Sequence, residues 1–115
     1  MTVTIWHNPN CTTSRKVLET IRAKGIEPRI VEYLKTPPSA GEIKAALKQM
    51  GLKPRELLRR RGTPFDELGL DDPKHSDAEL IAAMAEHPIL IERPVVFGKK
   101  GAVLCRPSER VQEIL

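Results

Sequence analysis

Cys11 stands between an apolar run, Val3-Thr4-Ile5-Trp6-His7, and the polar start of a periodic segment, Thr12-Thr13-Ser14-Arg15-Lys16-Val17-Leu18, with Asn8-Pro9-Asn10 as a turn between them. The run predicts a short buried strand and the segment a helix. A thiol at the amino end of a helix meets free N–H groups and the positive end of the dipole, and both favour its anion. An ordinary thiol with a pKa of about 8.5 is only about 3% ionised at pH 7. Lowering that value by roughly two units, worth about 2.7 kcal/mol, makes most of it a nucleophilic thiolate. His7, Ser14 and Arg15 are the neighbours expected to support the thiolate. Ser14, three residues on, is expected to reach the sulfur with its hydroxyl across one helical turn.

The residues around this thiol narrow its chemistry. In Cys11-Thr12-Thr13-Ser14 a serine holds the place where a dithiol oxidoreductase needs its resolving cysteine, so the site is monothiol. Val17 stands where a Cys-x5-Arg phosphatase loop needs its arginine. Forked guanidinium donors suit tetrahedral oxyanions and keep their charge at any working pH. Among Arg59-Arg60-Arg61, Arg93 and Arg106, the two that flank strands beside prolines, Arg93 and Arg106, are expected at the site; Arg60 and Arg61 are expected to be surface charge. A cis Arg93–Pro94 bond would turn Arg93 toward the cysteine loop. Cys105 could be a resolving thiol, but Cys105 and Arg106 are adjacent on a strand and should face opposite ways, so a site-facing Arg106 turns Cys105 away from the site. No Cys/His spacing resembles a metal site, and no glycine-rich phosphate or dinucleotide motif is present.

The elements that must hold these residues follow from periodicity and punctuation. A helix is expected over about Thr13–Lys24, ending at Gly25. A second strand follows over Pro28–Tyr33, with Ile30 and Val31 at its centre. Ser39 with Glu42, and Ser76 with Glu79, form two capping boxes that open helices. The first of these helices buries Ile43, Ala46, Leu47 and Met50. A shorter helix is expected over Pro54–Arg61. Val95-Val96-Phe97 and Ala102–Cys105, joined by Gly98-Lys99-Lys100-Gly101, read as an antiparallel hairpin. A last helix is expected to begin with Pro107 in its first turn and to bury Val111, Ile114 and Leu115. The order is β-α-β, a helical insert over about 39–90, then β-β-α. That is the order of the thioredoxin fold, an α/β four-stranded mixed sheet flanked by helices on both faces.

Length and composition set the frame. At 115 residues, with 40% hydrophobic and 30% charged residues, the chain is expected to be one soluble domain, 1–115. No apolar run approaches the roughly 20 residues of a membrane span, and no signal pattern opens the chain, so a cytoplasmic protein with two free thiols is expected. The net charge of +4 suits an anionic partner. Trp6, Tyr33, Phe65 and Phe97 are scattered, so no stacking platform for nucleic acid is visible.

The residues together resemble a known family. His7-Asn8-Pro9-Asn10-Cys11-Thr12-Thr13-Ser14-Arg15 closely resembles the signature of the glutaredoxin-dependent arsenate reductases. So do Tyr33-Leu34-Lys35-Thr36-Pro37-Pro38, Glu56-Leu57-Leu58-Arg59, Glu67-Leu68-Gly69-Leu70, His87-Pro88-Ile89-Leu90-Ile91-Glu92-Arg93-Pro94 and Leu104-Cys105-Arg106-Pro107-Ser108. The similarity is to the family's shorter-chain branch, and Thr12 replaces the smaller residue that its best-studied members favour. The resemblance implies Cys11 as the nucleophile on arsenate, His7 and Ser14 as its support, and Arg59, Arg93 and Arg106 as the oxyanion-binding arginines. It implies Pro94 as the cis-proline, glutathione as co-substrate with no bound cofactor or metal, and glutaredoxin as protein partner. A monomer is expected, with no nucleic acid or membrane bound. Two further readings share these residues: a monothiol glutaredoxin-like oxidoreductase, and a redox-related regulator of RNA polymerase, whose Cys-x-x-Cys switch Ser14 would interrupt.

Overall fold

The computed structural model describes residues 2–115, which form two compact units. One joins the stretch up to Thr36 with Arg93–Leu115; the other is Pro37–Glu92. The expected insert, about 39–90, falls inside the second.

The first unit is built on a four-stranded sheet. Its strands are β1 (Thr4–Trp6), β2 (Arg29–Val31), β3 (Val95–Gly98) and β4 (Gly101–Leu104), in the order β2-β1-β3-β4. β2 runs parallel to β1, while β3 runs antiparallel to both β1 and β4. One row across the sheet aligns Ile30, Ile5, Val96 and Val103. Side chains alternate along each strand, so Val3 and Ile5 share a face with Val96, Val103 and Cys105. Helix α1 (Thr12–Ala23) lays Val17 and Ile21 on that face, and the C-terminal turn adds Val111 and Ile114 to the same buried cluster. Gly101, at φ +127°, turns the β3–β4 hairpin in a conformation that a side chain would strain.

Two elements here differ from expectation. β2 has three residues rather than six, because the chain folds back: the Lys35 and Thr36 N–H groups both donate to the Glu32 carbonyl at 2.9 Å. As the outer strand it leaves Ile30 37% exposed instead of central and buried. The last helix, over Ser108–Glu113, is a 3-10 helix, and Pro107 sits just before it as its cap. Val111 and Ile114 lie three apart, and a three-residue repeat stacks both on the sheet.

The second unit is helical. Helix α2 (Ala40–Met50) opens with the Ser39–Glu42 capping box and stops at Gly51, whose φ of +68° few other residues adopt. Helix α4 (Asp77–Glu86) opens with the matching Ser76–Glu79 box. α2 packs on α4, which also meets α3 (Pro54–Leu57) and the turn Pro88–Leu90. Ile43, Ala46, Leu47, Leu57, Leu80, Met84, Leu90 and Ile91 are buried, whereas Met50 is only partly so.

α3 ends at Leu57, well short of the expected Arg61. Leu58 is extended instead and pairs with Ile91. The Arg59 N–H donates to the Leu90 carbonyl at 2.7 Å, and the Glu92 N–H to the Leu57 carbonyl at 2.8 Å. These bonds to a distant segment displace the helical ones that local propensity favours.

Candidate active site

Cys11 is the residue immediately before α1, with extended backbone angles of φ −98° and ψ 121°. Its carbonyl accepts the first helical bond, from the Arg15 N–H at 3.0 Å. The residue is 9% exposed, so the sulfur is recessed. Burial by itself raises the thiol pKa; the Ser14 backbone N–H, a hydrogen bond from Arg93 and the charges of Arg93 and Arg106 outweigh it, and the net direction is down.

The two arginines arrive from the sheet. Arg93 precedes β3 and Arg106 follows β4, and both Arg93–Pro94 and Arg106–Pro107 are cis peptide bonds. Arg106 Nη2 donates to Cys11 Sγ at 3.5 Å, while its Nε donates to the Arg93 carbonyl at 2.7 Å. The expected clustering of Arg93 and Arg106 at the thiol is therefore present, with Pro94 in the expected cis form. The neighbouring Cys105 points the other way. It is fully buried, its S–H donates to the Val103 carbonyl, and burial pushes its thiol up to about 12.

The serine lies where expected, but its groups divide differently. The Ser14 backbone N–H, rather than its hydroxyl, is among the groups that lower the Cys11 pKa. Its hydroxyl shares a hydrogen bond with His7 Nδ1 at 2.6 Å and accepts from the Asn8 N–H at 3.1 Å. His7, 5% exposed, has its pKa lowered by burial and by the charges of Arg22 and Arg15, against an opposing pull from Glu32. His7 thus acts on the cysteine loop through Ser14.

Arg15 also departs from expectation. Its guanidinium donates to the Pro9 carbonyl at 2.8 Å and to Thr12 Oγ1 at 3.3 Å, so it braces the outside of the loop. Arg59 belongs to the second unit, where its Nη1 meets Glu92 Oε1 at 2.9 Å and its Nε donates to the Arg61 carbonyl at 3.1 Å. Arg60 lies on the surface against Asp66 and the Phe65 ring.

A thiolate beside two guanidinium groups can draw a small oxyanion and attack its central atom while the cations carry its charge. The pattern of residues behind this arrangement extends over nearly the whole chain: the family model described as ArsC matches residues 6–114. The chain belongs to the ArsC family. It is 59% identical over all 115 of its residues to an arsenate reductase of Rhizobium meliloti (strain 1021), covering 82% of that protein. It is 51% identical to an arsenate reductase of Escherichia coli over 98% of this chain and 80% of the relative. Among solved structures, an arsenate reductase from Vibrio cholerae superimposes with a TM-score of 0.96 at 46% identity, covering 100% of this chain and 98% of that one. The fold is the thioredoxin-like fold of ArsC enzymes, with its helical insert between the β-α-β and β-β-α halves.

Three features of this ArsC chain were not read from the sequence. The Arg106–Pro107 bond is cis like its counterpart at Pro94. Glu92 pairs with Arg59 from 33 residues away, and no local signal announces that contact. Asn8 is buried, and its side-chain oxygen accepts from the Asn10 N–H at 2.9 Å; the Asn-Pro-Asn composition could have flagged this turn. Among the described residues, no group of three His, Cys, Asp or Glu side chains is placed to hold a metal ion, and no helix is long and apolar enough to cross a membrane.

Proposed function

We propose that this ArsC chain reduces arsenate to arsenite, with Cys11 as nucleophile and glutathione and glutaredoxin as the source of electrons. Arg93 and Arg106 bind the arsenate oxygens and lower its charge. The Cys11 thiolate attacks arsenic(V), and an oxygen leaves as water after protonation, giving a Cys11–S–As(V) ester. Glutathione displaces a second hydroxyl as water and forms a glutathione–arsenic bond. A glutaredoxin thiolate then attacks the glutathione sulfur. The electron pair of that S–As bond stays on arsenic, which becomes As(III), while glutaredoxin and glutathione are joined as a mixed disulfide. Water releases arsenite and restores the Cys11 thiol.

The observation that carries this reading is the 3.5 Å approach of Arg106 Nη2 to Cys11 Sγ, with Arg93 as a second donor, in a chain 59% identical to an arsenate reductase. Ser14 in place of a resolving cysteine supports an external thiol as reductant. We assign Arg59 as a third oxyanion-binding arginine on family resemblance, and His7 and Ser14 as thiolate support. We take residues 1–115 to act as one such reductase domain in the glutathione-rich cytoplasm.

The test is arsenate-dependent NADPH oxidation by the purified protein, coupled through glutathione, glutaredoxin and glutathione reductase. Turnover by the wild type, lost in Cys11→Ser and largely kept in Cys105→Ser, is expected. A wild-type enzyme that reduces mixed disulfides but never arsenate would instead favour the monothiol oxidoreductase reading.

A further inference from the structure

We propose that Asn8 is a positioning residue for the Cys11 thiolate, its side-chain Oδ1 fixing the turn that aims the sulfur. The inference rests on Cys11 being the nucleophile, as proposed above. Asn8 is 6% exposed, and three of its polar groups are spent on the cysteine loop. Its carbonyl accepts from the Cys11 N–H at 3.0 Å, which closes a four-residue turn over residues 8–11. Its Oδ1 accepts from the Asn10 N–H at 2.9 Å, inside that turn. Its own N–H donates to Ser14 Oγ at 3.1 Å, tying the end of the first strand to the first turn of α1.

The asparagine side chain suits this task because it closes onto the N–H two residues on, imitating a backbone turn. Without that oxygen the Asn10 N–H loses its partner within the turn. The sulfur then samples positions farther from the groups that favour its anion. Those groups are the Ser14 N–H at the start of α1, Arg93 before β3 and Arg106 after β4. Substitution at Asn8 alters none of them directly. Arg15 grips the same loop from its exposed outer side, at the Pro9 carbonyl and Thr12 Oγ1, so the loop stays attached even when the inner bond is lost.

The experiment measures the rate of Cys11 alkylation by iodoacetamide against pH, in a Cys105→Ser background, for wild type, Asn8→Ala, Asn8→Leu and Asn8→Ser. The alkylation midpoint is expected to rise by about half a pH unit or more in Asn8→Ala and Asn8→Leu. Asn8→Ser keeps an acceptor oxygen and should recover most of the shift. Ile43→Val, a core change in the second unit, should lower Tm while leaving the midpoint in place. A midpoint unmoved in the Ala and Leu variants, or raised equally in Asn8→Ser, overturns the proposal. Should these variants fail to fold, amide exchange in the wild type decides: protection of the Asn10 N–H is expected, and exchange as fast as an open loop overturns it. A wild-type midpoint equal to that of a free thiol would instead count against the nucleophile assignment itself, as would a lack of arsenate turnover.

Discussion

Arg106 donates from Nη2 to the sulfur of Cys11 across 3.5 Å, joining residues 95 positions apart in the chain. The same guanidinium holds the Arg93 carbonyl through Nε, so one side of its fork is fixed while the other faces the sulfur. Arg106→Ala should raise the alkylation midpoint of Cys11 and lower kcat/KM for arsenate by about 10- to 100-fold, the loss of one charge-assisted hydrogen bond of roughly 1.5–3 kcal/mol. Arg106→Lys should restore little, because an ammonium is a point charge and does not reproduce the two-sided grip. Equal kcat/KM in wild type and Arg106→Ala would show this arginine to be surface charge.

Ser14 separates two roles that sit on one residue. Its hydroxyl serves His7 and the Asn8 N–H, while its backbone N–H serves the sulfur. Ser14→Ala therefore strips partners from two buried groups and should cost about 1–3 kcal/mol of stability, seen as a lower urea midpoint. The amide remains, so the Cys11 midpoint should move less than in Arg106→Ala. A larger shift in Ser14→Ala than in Arg106→Ala would return the hydroxyl to the thiolate as its direct partner.

What the sequence revealed and what it hid divide along locality. The two capping boxes were legible because Ser39 with Glu42, and Ser76 with Glu79, decide the backbone within four residues. Cys11 was legible for the same reason: strand, turn and helix start are written side by side. Arg93 and Arg106 could be picked by residue type and by the prolines after them. The misreadings turn on which partner each group meets, some distant in the chain and some close by. α3 ends early because the Leu58 segment pairs with the Ile91 segment, and β2 is short because the chain folds back onto the Glu32 carbonyl. The Ser14 hydroxyl and the Arg15 guanidinium lie near the cysteine in sequence, yet they meet other partners there, in His7, Pro9 and Thr12. Proximity along the chain placed these residues around the cysteine loop and mistook what their side chains touch.

Two buried titrating groups give the protein a stability window with opposite edges. His7 has a folded pKa below its ordinary value of 6.5, first because burial disfavours the charged ring. The unfolded chain then binds the extra proton, so stability should fall as pH drops from about 6.5 toward the lowered folded value. Cys105 has a folded pKa raised by burial from 9.0 to about 12. Its contribution is complete below pH 9 and should be lost as pH rises from there toward 12. Urea midpoints measured from pH 5 to pH 11 should therefore fall at both ends. Cys105→Ala should flatten the alkaline limb and leave the acid one, and a limb unchanged in that variant would assign it to other groups.

Arg59 and Glu92 pose a choice that family resemblance alone does not settle. The pair is 2.9 Å apart, with about a fifth of each side chain exposed, so it is neither a screened surface pair nor a fully dry one. Removing Glu92 leaves a partly buried guanidinium short of its counter-charge, and Glu92→Ala should cost about 1–3 kcal/mol. If Arg59 also binds the oxyanion, as proposed, its charge matters to turnover beyond this structural role. Arg59→Ala should then lower kcat/KM for arsenate by tenfold or more, while Glu92→Ala lowers stability with a smaller kinetic effect. Equal losses of Tm in the two variants, with kcat/KM unchanged in both at a temperature where each is folded, would reduce Arg59 to the partner of Glu92.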